Sequence, residues 1–222
     1  GGSAGDDERL ADTHVFFDGR FHSAAATVML VNTPLDFRVF STHHMQAQDE
    51  KLVVTLACPE SRTVYELNAE PAAEVYARTV GVPLAELDRG VFALHPLGVR
   101  VGGNHFVRSI QRVNPDGSLT FYCAVETGIV MVAMNPGSLL ESVRTQIEAS
   151  ERVVGKPLVT LACDCFLRRL EAELTGQLDA VSEFLTEHRV VGFNTYGEQF
   201  NGMHINQTFT GVVIGQPECS IE

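Results

Sequence analysis

A turn that few backbone geometries satisfy sits at the middle of the chain. Asn114-Pro115-Asp116-Gly117 separates two β-rich runs, residues 105–113 and 118–125. Proline sets φ at about −65° and glycine accepts the positive φ that a tight reversal needs. The two runs are therefore expected to fold back on each other as a hairpin. A chain committed to a hairpin here needs a sheet to hold it, because an isolated two-stranded ribbon is marginal in water.

The flanking pattern supplies that sheet. Residues 27–31 and 52–56 are apolar, β-rich runs expected to be buried strands, residues 62–67 alternate as a half-exposed strand does, and residues 128–134 continue the sheet. Pro71 opens a helix that runs to Val80 and stops at Gly81, with a short second helix expected over 83–87. Ser138 reads as the N-cap of an amphipathic helix reaching Ser150, with Glu141 completing a capping box. The last third alternates a buried strand at 157–162, helices at 166–173 and 177–187 broken near Thr175-Gly176, and strands at 190–193 and 206–214. There is no repeat, heptad or low-complexity segment. The architecture expected is α+β: a mixed or antiparallel sheet with a few packed helices.

Charge excludes some functions. The formal net charge of −12, from 28 acidic and 16 basic residues, argues against nucleic acid, and the longest basic run is Arg168-Arg169. The same charge opposes docking on anionic membranes. No apolar run reaches the ~18 residues of a membrane span, and Gly1-Gly2-Ser3-Ala4-Gly5-Asp6-Asp7 lacks the layout of a signal peptide. Five cysteines, an odd number without small-scaffold spacing, suit reduced thiols. A soluble, cytoplasmic protein is expected.

The candidate chemistry lies toward the end of the chain. Between Val190 and Thr208 an apolar strand runs into residues bearing a hydroxyl, a phenol, a carboxylate, amides and an imidazole, with glycines at three points. Tyr196, Glu198, His204 and Asn206 are candidates to converge on a small ligand; equally, this is a polar loop whose side chains cap their own backbone. Cys163-Asp164-Cys165 ends one strand just before a helix, and with Cys58 and Cys123 would make a four-thiolate metal or iron–sulfur site. No Cys-x-x-Cys is present, and burial as small hydrophobes is the simpler reading. A cysteine-dependent enzyme, with Cys163 or Cys165 as nucleophile and His204 as base, is a further alternative. It stands without the usual hydrolase, phosphate-loop or dinucleotide signatures. His43-His44 lies in a polar segment, residues 41–50, suited to a cleft mouth or simply to an exposed loop.

Three segments carry a resemblance. Gly192-Phe193-Asn194-Thr195-Tyr196-Gly197-Glu198-Gln199, His204-Ile205-Asn206-Gln207-Thr208 and Cys163-Asp164-Cys165-Phe166-Leu167-Arg168-Arg169 resemble the motifs of the C-terminal half of FIST domains. These are bacterial and archaeal sensory domains of intracellular signal transduction. Phe106-Val107-Arg108-Ser109-Ile110, Gly117-Ser118-Leu119 and Val64-Tyr65-Glu66-Leu67 resemble the same family, and Gly1-Gly2-Ser3-Ala4-Gly5-Asp6 resembles the end of its N-terminal half. The resemblance implies residues 1–40 as the tail of the N-terminal half and 41–222 as the C-terminal domain. It implies a small-ligand sensor rather than an enzyme, and Tyr196, Glu198, His204, Asn206 and Arg168 are taken as the candidates to meet the ligand. The subgroup most similar is thought to sense nitric oxide through haem b. Cys163, Cys165 or His44 would then face the metal, and the partner would be a histidine kinase or a diguanylate cyclase or phosphodiesterase.

Overall fold

The structure, a computed structural model, describes residues 1–6 and 9–216. In chain order its strands begin with β1 (Gly2–Ala4), β2 (Val15–Phe17), β3 (Arg20–His22), β4 (Asp36–Thr42), β5 (Met45–Cys58), β6 (Thr63–Leu67) and β7 (Glu70–Pro71). Helices α1 (Ala72–Val80) and α2 (Arg89–Leu94) precede β8 (Leu97–Val101), β9 (Asn104–Arg108), β10 (Ile110–Val113), β11 (Leu119–Phe121) and β12 (Val130–Pro136). The remainder is α3 (Leu139–Val154), β13 (Lys156–Cys165), α4 (Phe166–Leu174), α5 (Leu178–Glu187), β14 (Val190–Phe200), β15 (Met203–Ile205) and β16 (Phe209–Gln216). The expected α+β class holds: one compact unit carries a mixed sheet with helices and the other an antiparallel sheet.

The first unit comprises residues 1–43, 140–203 and those from 208 onward. Its sheet runs in the order β1-β14-β13-β16-β4, with β13 parallel to β14 and the other neighbours antiparallel. A parallel pair needs a crossover, which α4 and α5 provide. Gly176, at φ +67°, breaks the crossover between those two helices as the sequence predicts. One face of the sheet is covered: Phe40, Ala162, Phe209 and Val213 pack against Val143, Ile147 and Val154 of α3 and Phe184 of α5. Successive strand residues face opposite ways, so Val39, Leu161, Val191, Phe193 and Val212 line the other face. There Val191 and Phe193 are each 53% exposed and Phe37 59%.

The second unit comprises residues 44–139 and 204–207. Its strands follow the order β10-β11-β6-β5-β12-β8-β9, every pair antiparallel. The end strands β9 and β10 are joined by Ser109 alone, so the sheet must curl until its ends meet. Leu52, Val64, Leu67, Leu97, Leu119 and Phe121 fill its interior with Tyr76 of α1 and Phe92 of α2. The predicted reversal is present: Gly117 has φ +79°, its N–H donates to the Asn114 carbonyl at 3.0 Å, and Val113 pairs with Leu119.

Several expectations need correction. Residues 27–31 form no strand: Val28, Met29, Leu30 and Val31 are exposed, because a β-rich run without a paired neighbour has nothing to hold it extended. The run 105–113 divides at Ser109, its first part pairing with β8 rather than across the turn. Residues 83–87 hold only a 3-10 turn at Leu84–Glu86, while α2, capped by the Asp88 carboxylate accepting from the Val91 N–H at 2.9 Å, lay unread in the sequence. The final strand begins at Phe209 rather than residue 206, and α3 extends past Ser150 to Val154. His43-His44 is no exposed loop pair, since His44 is 6% exposed and strand structure resumes at Met45.

Candidate functional site

Residues 194–200, read in the sequence as a possible loop, are the second half of strand β14. A β-bulge shapes it: β1 pairs through Gly2↔Glu198 and Ala4↔Thr195, so two residues advance on one strand while three advance on the other. The extra residue falls at Tyr196-Gly197, where Gly197 has φ +121°, a conformation that essentially requires glycine. The bulge brings Thr195 and Glu198 to the same side although they are three apart.

The result is a buried carboxylate held by hydroxyls. Thr195 Oγ1 donates to Glu198 Oε1; Thr208 Oγ1 donates to Glu198 Oε2, which also accepts the Thr208 N–H at 3.3 Å. All three residues are buried. Burial in low dielectric opposes ionisation and outweighs the hydroxyl bonds that favour it, so the Glu198 carboxyl is pushed up to about 7. Gly2 closes one side: a Cβ there would lie 2.4 Å from Thr195 Cγ2 and 3.0 Å from Cys163 Sγ.

Tyr196 points elsewhere. Its hydroxyl donates to Asp6 Oδ1, and its ring meets Phe166 edge-on at 6.3 Å. Asp6 also accepts the Ala11 and Asp12 N–H groups at 2.7 and 3.0 Å. The Tyr196 bond first, helped by these, holds the Asp6 carboxyl down to about 2, while burial and the same bond push the Tyr196 phenol up.

Arg168 is 1% exposed in the first turn of α4. Its Nε donates to Asp164 Oδ1 at 2.6 Å, and its guanidinium carbon lies 5.8 Å from the centre of the Phe209 ring. Asp164 is the middle residue of Cys-Asp-Cys, so that motif and Arg-Arg are read together: a strand-end carboxylate clamps a buried cation on the following helix.

The remaining sequence candidates divide between the units. Arg168, Tyr196 and Glu198 belong to the first, His204 and Asn206 to the second. His204 is exposed; Asn206 is buried, and its Oδ1 has no hydrogen-bond partner among the described residues. His44 is buried in the second unit, where its carbonyl accepts the Gly137 N–H at 2.9 Å. Cys58 and Cys123 lie in the second unit and Cys163 and Cys165 in the first, while Cys219 lies outside the described residues. Among the described residues no three His, Cys, Asp or Glu side chains are grouped to hold a metal ion. Burial pushes the Cys123 and Cys163 thiols up, away from the thiolate that a nucleophile or metal ligand needs. Cys163 opens on a groove of the first unit, described below.

Thr195, Thr208, Asp6 and Asp164 hold the candidate residues in place, and sequence reading passed over them. All four stand inside the segments quoted above. Asp164 was open to reading as the i,i+4 partner of Arg168, whereas Thr195, Thr208 and Asp6 become readable as partners only once the bulge and the strand pairing are known.

These features define an α+β protein in two units, with a buried ionisable node on a mixed sheet. A family model described as FIST C domain matches residues 72–201, and one described as FIST N domain matches residues 1–70. The chain belongs to the FIST family, whose domains are sensory domains of signal transduction that bind small ligands rather than catalytic ones. The two matches meet at residues 70–72, where the sequence reading divided the chain at 40/41. No curated protein and no solved structure matches the chain. Among the described residues no helix is long and apolar enough to cross a membrane.

Proposed function

We propose that this chain is a cytosolic small-ligand sensor in bacterial signalling, and that the Thr195–Glu198–Thr208 node registers the ligand's presence. The observation that carries this reading is the buried Glu198 carboxyl poised at about 7 within the family motif. A group so poised changes charge in response to small changes in its surroundings. A ligand that alters the hydration or field around the node therefore binds its two protonation states with different affinity, which is what shifting an equilibrium requires. The partner that reads the shift is a histidine kinase or a cyclic-di-GMP enzyme, as the family resemblance implies.

The finer reading of the resemblance is nitric oxide sensed through haem b, and its donor set fits poorly. The Cys163 thiol is pushed up by burial, and the groove it opens on carries no charged side chain to meet haem carboxylates. The function proposed here runs without haem. The four-thiolate iron–sulfur alternative has no support either, since among the described residues no three His, Cys, Asp or Glu side chains are grouped to hold a metal.

Thermal-shift screening of the full chain against neutral and charged small molecules, with haem as one of them, tests the reading. A saturable shift in the wild type that is altered in Glu198→Gln is expected. Absence of any ligand-dependent shift overturns it, and a stoichiometric Soret band after haem loading restores the haem reading.

A further inference from the structure

The sheet of the first unit has a groove of about 650 Å³ on its bare face. That volume lies in the range of small-molecule sites. Val39, Leu161, Val191 and Phe193 form its walls, with Cys163 and Thr210 between them. Cross-strand pairing explains the juxtaposition: Cys163 is opposite both Phe193 on β14 and Thr210 on β16, while Val212 is opposite Leu161 and Val39.

Two observations point to an occupant and to its chemistry. Thr210 is 2% exposed, its side chain lines the groove, and its Oγ1 has no hydrogen-bond partner among the described residues. Its neighbour Phe209 faces the helices, so alternation along β16 turns Thr210 the other way. A desolvated hydroxyl without a partner is unfavourable until something pairs with it. The second observation is electrical: no residue lining the groove carries a charged side chain, in a chain whose formal net charge is −12. A carboxylate, phosphate or ammonium would surrender hydration here with no charged side chain to pair it, the lining's polar groups beside Thr210 and Cys163 being Gly1 and the Gln199 and Asn201 amides.

We propose that this groove binds a neutral, mainly apolar small molecule of up to three rings, whose single polar group hydrogen-bonds Thr210 Oγ1. Apolar walls supply the affinity by burial, and the hydroxyl fixes orientation, acting as donor or acceptor. The proposal takes the sensory reading as its premise and gives that reading a ligand class. The groove also adjoins the node: Gly2 lies against both Cys163 and Thr195, and the Glu198 charge acts on the Cys163 thiol.

Neutral N-phenyl-1-naphthylamine, which has fused rings and one N–H, is the test probe, with anionic 1-anilinonaphthalene-8-sulfonate as its charged counterpart. The expected result is saturable one-to-one fluorescence enhancement with the neutral probe and at least about tenfold weaker binding of the anion. Val191→Asp, at an exposed position, should abolish the neutral probe's binding while leaving the fold intact by circular dichroism. Thr210→Val should weaken it several-fold. Equal binding of both probes, or undiminished binding in Val191→Asp, overturns the proposal. So does a probe-independent dimer in sedimentation that Val191→Asp dissolves, because the face is then occupied by a second copy. If the neutral probe binds as expected but the thermal-shift response ignores Glu198→Gln, the groove stands and the sensory node falls. If that response persists in Val191→Asp, the node stands and the groove falls.

Discussion

The two faces of the mixed sheet in the first unit have nearly the same composition and opposite fates. On one, Phe40, Ala162, Phe209 and Val213 are buried under α3 and α5; on the other, Phe37, Val39, Val191 and Phe193 stand exposed. Alternating polar and apolar residues would mark a sheet with one wet face. Here both faces are apolar, as in sheets meant to be covered twice. The second unit shows the contrast, because its sheet curls round its own core and spends its apolar residues inward. An apolar face kept bare against the hydrophobic effect marks interaction rather than stability.

The largest test of that difference is truncation on the covered face. Phe209 packs with Phe40 at 5.2 Å between ring centres and lies under the Arg168 guanidinium. Phe209→Ala should cost about 3–5 kcal/mol, the usual range for a fully buried aromatic, measured by urea denaturation. A loss below about 1 kcal/mol would mean that the face is not the packed core described here.

Next in size is the node at Glu198. Its carboxyl is raised from 4.5 when unfolded to about 7 when folded, so the folded state holds the proton more tightly. Stability is therefore full below about pH 4.5. It declines as pH rises toward 7 and is flat above. Across that rise the contribution is about 3 kcal/mol, at 1.36 kcal/mol for each pH unit. Glu198→Gln should remove that decline, so the variant gains on the wild type as pH rises from 4.5 to 8. Parallel stability–pH curves for the two proteins would show that the carboxyl does not titrate in its buried setting.

How much of this was legible beforehand varies with how local its cause is. The Asn114–Gly117 reversal, the Gly81 and Gly176 helix ends and the α4–α5 pair all follow from single residues or short periodicities, and all were read correctly. Asp18-Gly19, an equally local hairpin signal now seen between β2 and β3, was in the sequence and was missed. Residues 27–31 failed for a different reason: apolar β-rich composition states a preference, but a strand exists only where another strand donates to it. The site shows the same limit. Tyr196, Glu198 and Arg168 stood out by residue type. That Glu198 turns to Thr195 and Thr208, and Tyr196 to Asp6, depends on the Gly197 bulge and on pairing with a strand almost two hundred residues away in sequence.

The smallest expected effect is also the sharpest test of the comparison between faces. Phe193→Ser removes a large apolar side chain of the kind that Phe209→Ala removes, from the same sheet, at a position 53% exposed. Much of its ring is already in contact with water, so the lost burial is partial and the ordinary bound for surface changes, about ±0.5 kcal/mol, applies. Urea denaturation of the two variants side by side measures the contrast. A small loss for Phe193→Ser, beside several kcal/mol for Phe209→Ala, means that the bare face contributes almost nothing to folding. Its residues are then free to answer to whatever binds them. A loss for Phe193→Ser comparable to that for Phe209→Ala would mean that this face is covered in the folded protein, and the distinction between a structural face and a binding face would disappear.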